Sequence, residues 1–173
     1  YSLFLFIPLL IGCSEKTEFT LRGQINGLDS DTLVAYYQVP EYKIDTILCK
    51  KGMFEYTFTP DTLTVFNLIF NAEESLPIFA EKGQIVEVKG KVGELTVKGP
   101  GENRLMNDIL VLLRNTPGRK LTQQVDSLIQ TNHESFTNIY LIDKYYKNET
   151  HPDYNHIQRL IDSQSGIIKD TPY

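Results

Sequence analysis

No two cysteines in this chain are spaced as C-x-x-C, so it holds no dithiol pair that cycles between thiol and disulfide. Tryptophan is absent, and ten Tyr and nine Phe supply the aromatic mass. Histidine is scarce: His133, His151 and His156 are all there are. On one helix, His151 and His156 would lie about 140° apart, and Pro152 falls between them, so they share no face. A metal centre needs convergent ligands, and none is expected here. The loops that cradle phosphates, G-x-x-x-x-G-K and G-x-G-x-x-G, are missing, as is G-x-S-x-G; Gly99-Pro100-Gly101 matches none of them. Basic excess is lacking too. The net charge is −5, and neither half offers the cationic field that a phosphate backbone needs. Nucleic acid is therefore not an expected partner. Carboxylates are many but scattered. Glu73-Glu74 belong to a solvated loop, and no pair is spaced for general acid–base work. The residues thus point to no catalytic site and no cofactor.

What the chain does have is an apolar start. Residues 1–12 read Tyr-Ser-Leu-Phe-Leu-Phe-Ile-Pro-Leu-Leu-Ile-Gly and carry no charge. The run is shorter than the ~20 residues a spanning helix needs, and Pro8 disfavours a helix interior. Its length suits the apolar region of a secretory signal. It closes on Leu10-Ile11-Gly12-Cys13, which resembles the lipobox of bacterial lipoproteins. In that family the signal is cut before the Cys, and the Cys becomes the lipidated N-terminus. The resemblance assigns Cys13 as a lipid-attachment residue, residues 1–12 as a signal peptide whose basic leader is clipped, and 13–18 as a charged tether. The competing reading of the apolar run is a buried N-terminal strand.

From Glu18 to Lys98 the pattern has period two. Phe19, Leu21 and Ile25 alternate with polar residues, as a half-buried strand does. Further strands follow over 32–38, 43–49, 53–58, 63–70, 77–81, 84–89 and 94–98. Turn chemistry divides them at Gly27-Leu28-Asp29, Pro40-Glu41, Lys50-Lys51-Gly52, Pro60-Asp61 and Lys82-Gly83. Phe54, Tyr56 and Phe58 alternate most cleanly and read as the hairpin partner of the strand before them. Ile44, Thr46 and Leu48 share one face of that preceding strand, which places Asp45 outward. Short strands at this spacing predict an antiparallel β-sandwich or open barrel of about eight strands.

After Gly99-Pro100-Gly101 the period becomes helical. Leu105, Ile109, Leu112 and Leu113 form one stripe, with Met106 and Leu110 beside it. Further helices are expected near 119–131 (Leu121, Val125, Leu128, Ile129), from Ser135 (Phe136, Ile139, Tyr140, Ile142, Tyr146) and from Pro152 (Ile157, Leu160, Ile161). The fold class is therefore α+β, with a β domain over 19–99 and a connector of about four helices over 100–173. The chain stops soon after the apolar pair Ile167-Ile168, which leads us to expect more chain beyond Tyr173.

Three further groups carry possible chemistry. Cys49 has no partner if Cys13 is lipidated. It is either a small buried hydrophobe or a thiol activated by Lys50 and Lys51. Tyr36, Tyr37, Tyr42 and Tyr56 are either a carbohydrate-binding platform or cross-strand packing. Asn148-Glu149-Thr150 matches a glycosylation sequon, which is uninformative behind a bacterial lipoprotein signal.

The words Phe19-Thr20-Leu21-Arg22-Gly23-Gln24-Ile25, Asp45-Thr46, Lys51-Gly52-Met53-Phe54-Glu55-Tyr56, Phe79-Ala80-Glu81-Lys82-Gly83 and Val97-Lys98-Gly99 through Asn103 resemble a domain of unknown function. That domain stands at the N-terminus of Gram-negative TlpA-like thiol–disulfide oxidoreductase lipoproteins. Asn132-His133-Glu134-Ser135 and Tyr140-Leu141-Ile142-Asp143-Lys144-Tyr145-Tyr146 are similar to the linker helices of those proteins. In that family a thioredoxin-like domain with the active C-x-x-C follows the helices. The resemblance implies a non-catalytic accessory module, lipid-anchored in the cell envelope on a periplasmic or outer-membrane face, whose partners are the membrane and a thioredoxin-like domain. The alternative is a stand-alone surface lipoprotein that binds a glycan or peptide.

Overall fold

The computed structural model describes residues 16–28, 30–38, 41–72 and 74–169, apart from the side chains of 167 and 169. The apolar run 1–12, Cys13, expected from the resemblance to carry a lipid, and the start of the expected tether lie outside the described residues.

Eight strands come first: β1 (Phe19–Asn26), β2 (Thr32–Tyr37), β3 (Lys43–Leu48), β4 (Met53–Phe58), β5 (Thr64–Ile69), β6 (Ser75–Ala80), β7 (Ile85–Lys91) and β8 (Thr96–Lys98). They form two four-stranded sheets, ordered β4-β1-β7-β8 and β3-β2-β5-β6. The fold is an α+β sandwich with no closed barrel. Alternation along each strand places Phe19, Leu21, Leu33, Ala35, Phe66, Leu68, Val86 and Val88 between the sheets, each at most 1% exposed. All pairs are antiparallel except β1 with β7, where Leu21 lies beside Val86 in a parallel ladder. That pairing needs a connection that crosses the sandwich, and the whole second sheet supplies it.

Gly23 in β1 has a steric reason. A Cβ there would come within 2.5 Å of the Val88 carbonyl oxygen and 2.6 Å of the Phe54 ring. Phe54, its partner in register, lies over the space a side chain would fill.

Two expectations are corrected in the middle of the chain. β4 is not the hairpin partner of β3. Lys50 and Met53 form an isolated bridge around Lys51-Gly52, and then β3 pairs with β2 while β4 pairs with β1. The tight turn therefore passes the chain from one sheet to the other. The faces of β3 are also reversed. Ile44 and Leu48 are 68% and 78% exposed, while Ile47 is 2% exposed and Asp45 is half-buried. Apolar residues occur on both faces of this edge strand, and aromatic partners inside the sandwich draw in the odd-numbered set.

The helices are α1 (Gly101–Arg114), α2 (Gly118–Thr131), α3 (Thr137–Ile142) with a π-helical continuation (Asp143–Lys147), α4 (Tyr154–Asp162) and a terminal turn, α5 (Gly166–Lys169). α1 buries Asn103, Met106, Ile109 and Leu113. Leu112, expected inward, is 41% exposed, because the buried stripe runs through Met106, Ile109 and Leu113 at helical spacing. Leu110 packs on the sandwich core, and Leu105 joins the helical core formed by Ile109, Leu113, Val125, Ile129, Leu141, Tyr146 and Leu160. α1 is thus shared between two cores. Ile161 on α4 is likewise 41% exposed, where Leu160 alone is buried.

Candidate functional site

Side-chain amides fix the helices to the sheets. Asn103 is 1% exposed. Its Nδ2 donates to the Phe79 carbonyl at 2.6 Å, and its Oδ1 accepts from the Phe79 N–H at 3.1 Å. One amide thereby satisfies the outer edge of β6 as a neighbouring strand would. Asn107 accepts from the Val97 N–H at 2.9 Å and does the same for β8. The Glu102 carboxylate accepts from Ser135 Oγ at 2.6 Å and Thr137 Oγ1 at 2.9 Å, tying the start of α1 to the start of α3. Asn138 donates to the Ile129 and Asn132 carbonyls and to Gln164 Oε1, at 3.2, 2.7 and 2.7 Å. None of these polar residues belongs to a motif that carries chemistry; what marks them is a position in or beside the buried stripe, which periodicity alone does not convert into a partner.

The four tyrosines divide into two pairs. Tyr37 and Tyr56 face into the sandwich, with hydroxyls 2.8 Å apart. Tyr56 donates to Asp45, and the Lys43 ammonium lies 2.6 Å from the same carboxylate. Phe58 and Phe66 pack on both tyrosine rings, edge-on and tilted, and Phe19 packs edge-on against those two. Asp45 is thus an inward residue, not the outward one that alternation indicated. Burial pushes its pKa up, but Lys43 and the Tyr56 hydroxyl outweigh burial and hold the carboxyl below the usual carboxylate range. Burial raises the Tyr37 hydroxyl to about 12, and its hydrogen bond with Tyr56 offsets this only in part. Burial, followed by Asp45 and Tyr37, raises Tyr56 further. This network closes one end of the core with a satisfied polar plug.

The other pair, Tyr36 and Tyr42, stacks on the outside with ring centroids 6.4 Å apart. Tyr36 contributes to a groove of about 190 Å³ between the outer face of the second sheet and α3. Asn67, Pro77 and Phe79 line its sheet side, and Phe136 and Tyr140 its helix side. Asp143 accepts from Lys147 at 2.8 Å, and both residues belong to the lining. Aromatic walls with a few polar groups are what small-ligand sites share. The four tyrosines do not form one platform.

Cys49 is buried and 7% exposed. Burial and then Asp31 raise its pKa, so the thiol is held protonated rather than activated by Lys50 and Lys51. His133 and His151 are exposed. His156 Nε2 lies 3.0 Å from Asp126, which also accepts from the Tyr146 hydroxyl at 2.6 Å. This contact joins α2, the π-helical turn and α4. Glu74, read as solvated, accepts from the Phe70 N–H through its carbonyl at 3.1 Å, whereas Glu73 lies outside the described residues. Asn148, Glu149 and Thr150 are exposed. Among the described residues, no helix is long and apolar enough to cross a membrane.

The family described as Domain of unknown function (DUF4369) matches residues 19–106. The chain belongs to this family. The DUF4369 match covers the whole sandwich and the first turns of α1, including Asn103 and Met106. The amide clip on β6 therefore lies inside the family unit. No curated protein and no solved structure matches the chain.

Proposed function

We propose that this chain is a non-catalytic, positional module of the cell envelope. In this reading a lipid on Cys13 ties the DUF4369 domain to a membrane, on a periplasmic or outer-membrane face. The helical connector then holds a thioredoxin-like domain, as in the TlpA-like proteins the sequence resembles. The observation that carries the reading is the amide clip at Asn103, supported by the Glu102 and Asn138 ties. A connector fastened by buried hydrogen bonds transmits orientation, where a loose linker would not. Protonated, buried Cys49 supports a non-catalytic role for the chain itself.

Two measurements test this. Metabolic labelling with a fatty acid is expected to mark the full chain and to lose the mark in Cys13→Ser, which leaves the membrane fraction. Reading the gene beyond Tyr173 is expected to reveal a C-x-x-C thioredoxin-like segment. An unlabelled wild-type chain removes the anchor, and a stop codon after Tyr173 removes the appended domain.

The groove beside Tyr36 favours a second reading, in which the module binds a glycan or peptide of the envelope. A glycan and peptide array is expected to show binding that Tyr36→Ala weakens. Tyr37→Ala is not the informative variant, because Tyr37 is part of the core. Binding unchanged in Tyr36→Ala, or absent from the wild type, sinks this reading.

A further inference from the structure

The backbone of Lys16, where the described chain begins, lies against the sandwich. A Cβ on Gly83 would come within 2.4 Å of the Lys16 carbonyl oxygen. Gly83 holds φ +73°, which glycine adopts freely, so the Lys82-Gly83 turn leaves room for the arriving chain. Four residues on, the Thr20 N–H donates to the Gln84 carbonyl at 3.0 Å, and β1 enters its ladder with β7. The point of entry is thereby fixed at one end of the sandwich.

The same end starts α1: a Cβ on Gly101 would stand 3.7 Å from the Glu81 carboxylate. The opposite end holds the Lys51-Gly52 turn, whose Gly52 carbonyl accepts from the Ile25 N–H at 2.9 Å. β1 separates the two ends by 8 residues, about 23 Å of strand. α1 runs the same way over 14 residues, about 21 Å of helix. It meets Phe79 through Asn103 first and Val97 through Asn107 next. Its last residue, Arg114, shares a cavity with Ser75 and Gly93 at the far end.

We infer that the end at the Lys82-Gly83 turn is the membrane-proximal end of the domain, and that α1 leads the connector away from the bilayer. This rests on the lipid at Cys13 proposed above. Lys16 follows Cys13 by three positions, a reach of at most about 11 Å. A lipid there holds the Gly83 turn at the bilayer surface, while the Lys51-Gly52 turn and the start of α2 stand up to a strand length further off. Lys16 and Lys82 are offset by Glu18 and Asp61, all exposed, so no single sign of charge dominates this end. The length of the tether, not adsorption to charged lipid, sets the orientation.

The test uses the lipidated full chain from the membrane fraction, in neutral phosphatidylcholine vesicles that contain a head-group spin-labelled lipid. Cys49→Ala removes the buried thiol, and Cys13 is blocked by its lipid. Lys82→Cys, Lys50→Cys and Lys120→Cys, all at exposed positions, each carry a fluorophore, and a thermal melt verifies that each variant folds. Quenching at Lys82→Cys is expected to exceed that at the other two by at least about threefold, since they lie roughly 20 Å further from the tether. High salt is expected to leave this ratio unchanged. A Gly-Ser spacer of about twenty residues inserted after Glu15 is expected to bring it towards one, because a coil of that length spans roughly 25 Å. In a chain that takes a fatty-acid label, equal quenching at the three positions overturns the inference alone. So does a ratio abolished by salt or indifferent to the spacer. A chain that takes no such label removes the anchor, and the inference with it.

Discussion

Truncating Asn103 to Ala is the sharpest perturbation of the join between sheet and helix. The side chain is 1% exposed, and its amide makes two hydrogen bonds to the backbone of Phe79, itself 1% exposed. Alanine removes both bonds and strands a buried donor and a buried acceptor on the edge of β6. Each stranded group costs about 1–3 kcal/mol, so the pair costs about 3 kcal/mol in a site that water reaches poorly. Against a total of about 5–15 kcal/mol, that is a large share. For a chain of this size it lowers Tm by roughly 6–12 °C. Asn107→Ala strands one donor, the N–H of buried Val97, in a bond that is part-buried, and is expected to cost about 1 kcal/mol. Urea titrations followed by circular dichroism measure both. Hydrogen exchange at the Phe79 amide is expected to rise in Asn103→Ala more than exchange at Leu21. A loss below about 1 kcal/mol for Asn103→Ala would refute the argument that this amide replaces a strand.

Three further outcomes follow from the polar groups. Asp45 has a folded-state pKa below its unfolded one, so its contribution is present above about pH 4 and is lost as pH falls through the folded value. Asp45→Asn is expected to flatten the acid limb of the stability curve; an unchanged limb would contradict the network. Tyr37 has a folded-state pKa raised to about 12, so its contribution is full below its unfolded pKa of about 10 and declines as pH rises towards 12. Ultraviolet titration of wild type against Tyr37→Phe is expected to place this hydroxyl after the exposed tyrosines, and its ionisation near 10 would count against burial. Cys49, tested in a Cys13→Ser chain, is expected to react with a thiol reagent at least roughly tenfold faster in urea than in the native state. Equal rates would mean that the thiol is open.

Period-two segments such as Phe19–Ile25 were legible because one face is buried and the other wet. β3 was not, because Ile44, Ile47 and Leu48 are apolar on both faces, and the residue that sets the register is polar. Asp45 turns inward because Tyr56 and Lys43 receive it, and no local pattern records a partner on another sheet. The destination of the Lys51-Gly52 turn was hidden for a related reason. Turn chemistry fixes a reversal, but the pairing of β4 with β1 depends on residues some thirty positions away. Asn103 and Asn107 were illegible as site residues since an asparagine on a helix reads as solvated until a strand edge lies beside it. The π-helical turn, which brings Tyr146 to Asp126, left no trace in the apolar spacing.

The parallel pairing of β1 with β7 also sets an order of events. The β2–β3 and β5–β6 hairpins of the second sheet are local pieces, whereas β1 pairs with β4 and with β7, where Arg22 and Glu87 are separated by 65 positions. Contacts of that span are slow to close, since the entropy of the intervening chain must be lost before they form. In a chain that emerges N-terminus first, Phe19, Leu21 and Ile25 are therefore expected to be made before the rest of the sandwich core and covered after it. The strand nearest the N-terminus is the one whose apolar face needs shielding longest, and closure of β1 onto β7 is the step expected to govern how fast the domain matures.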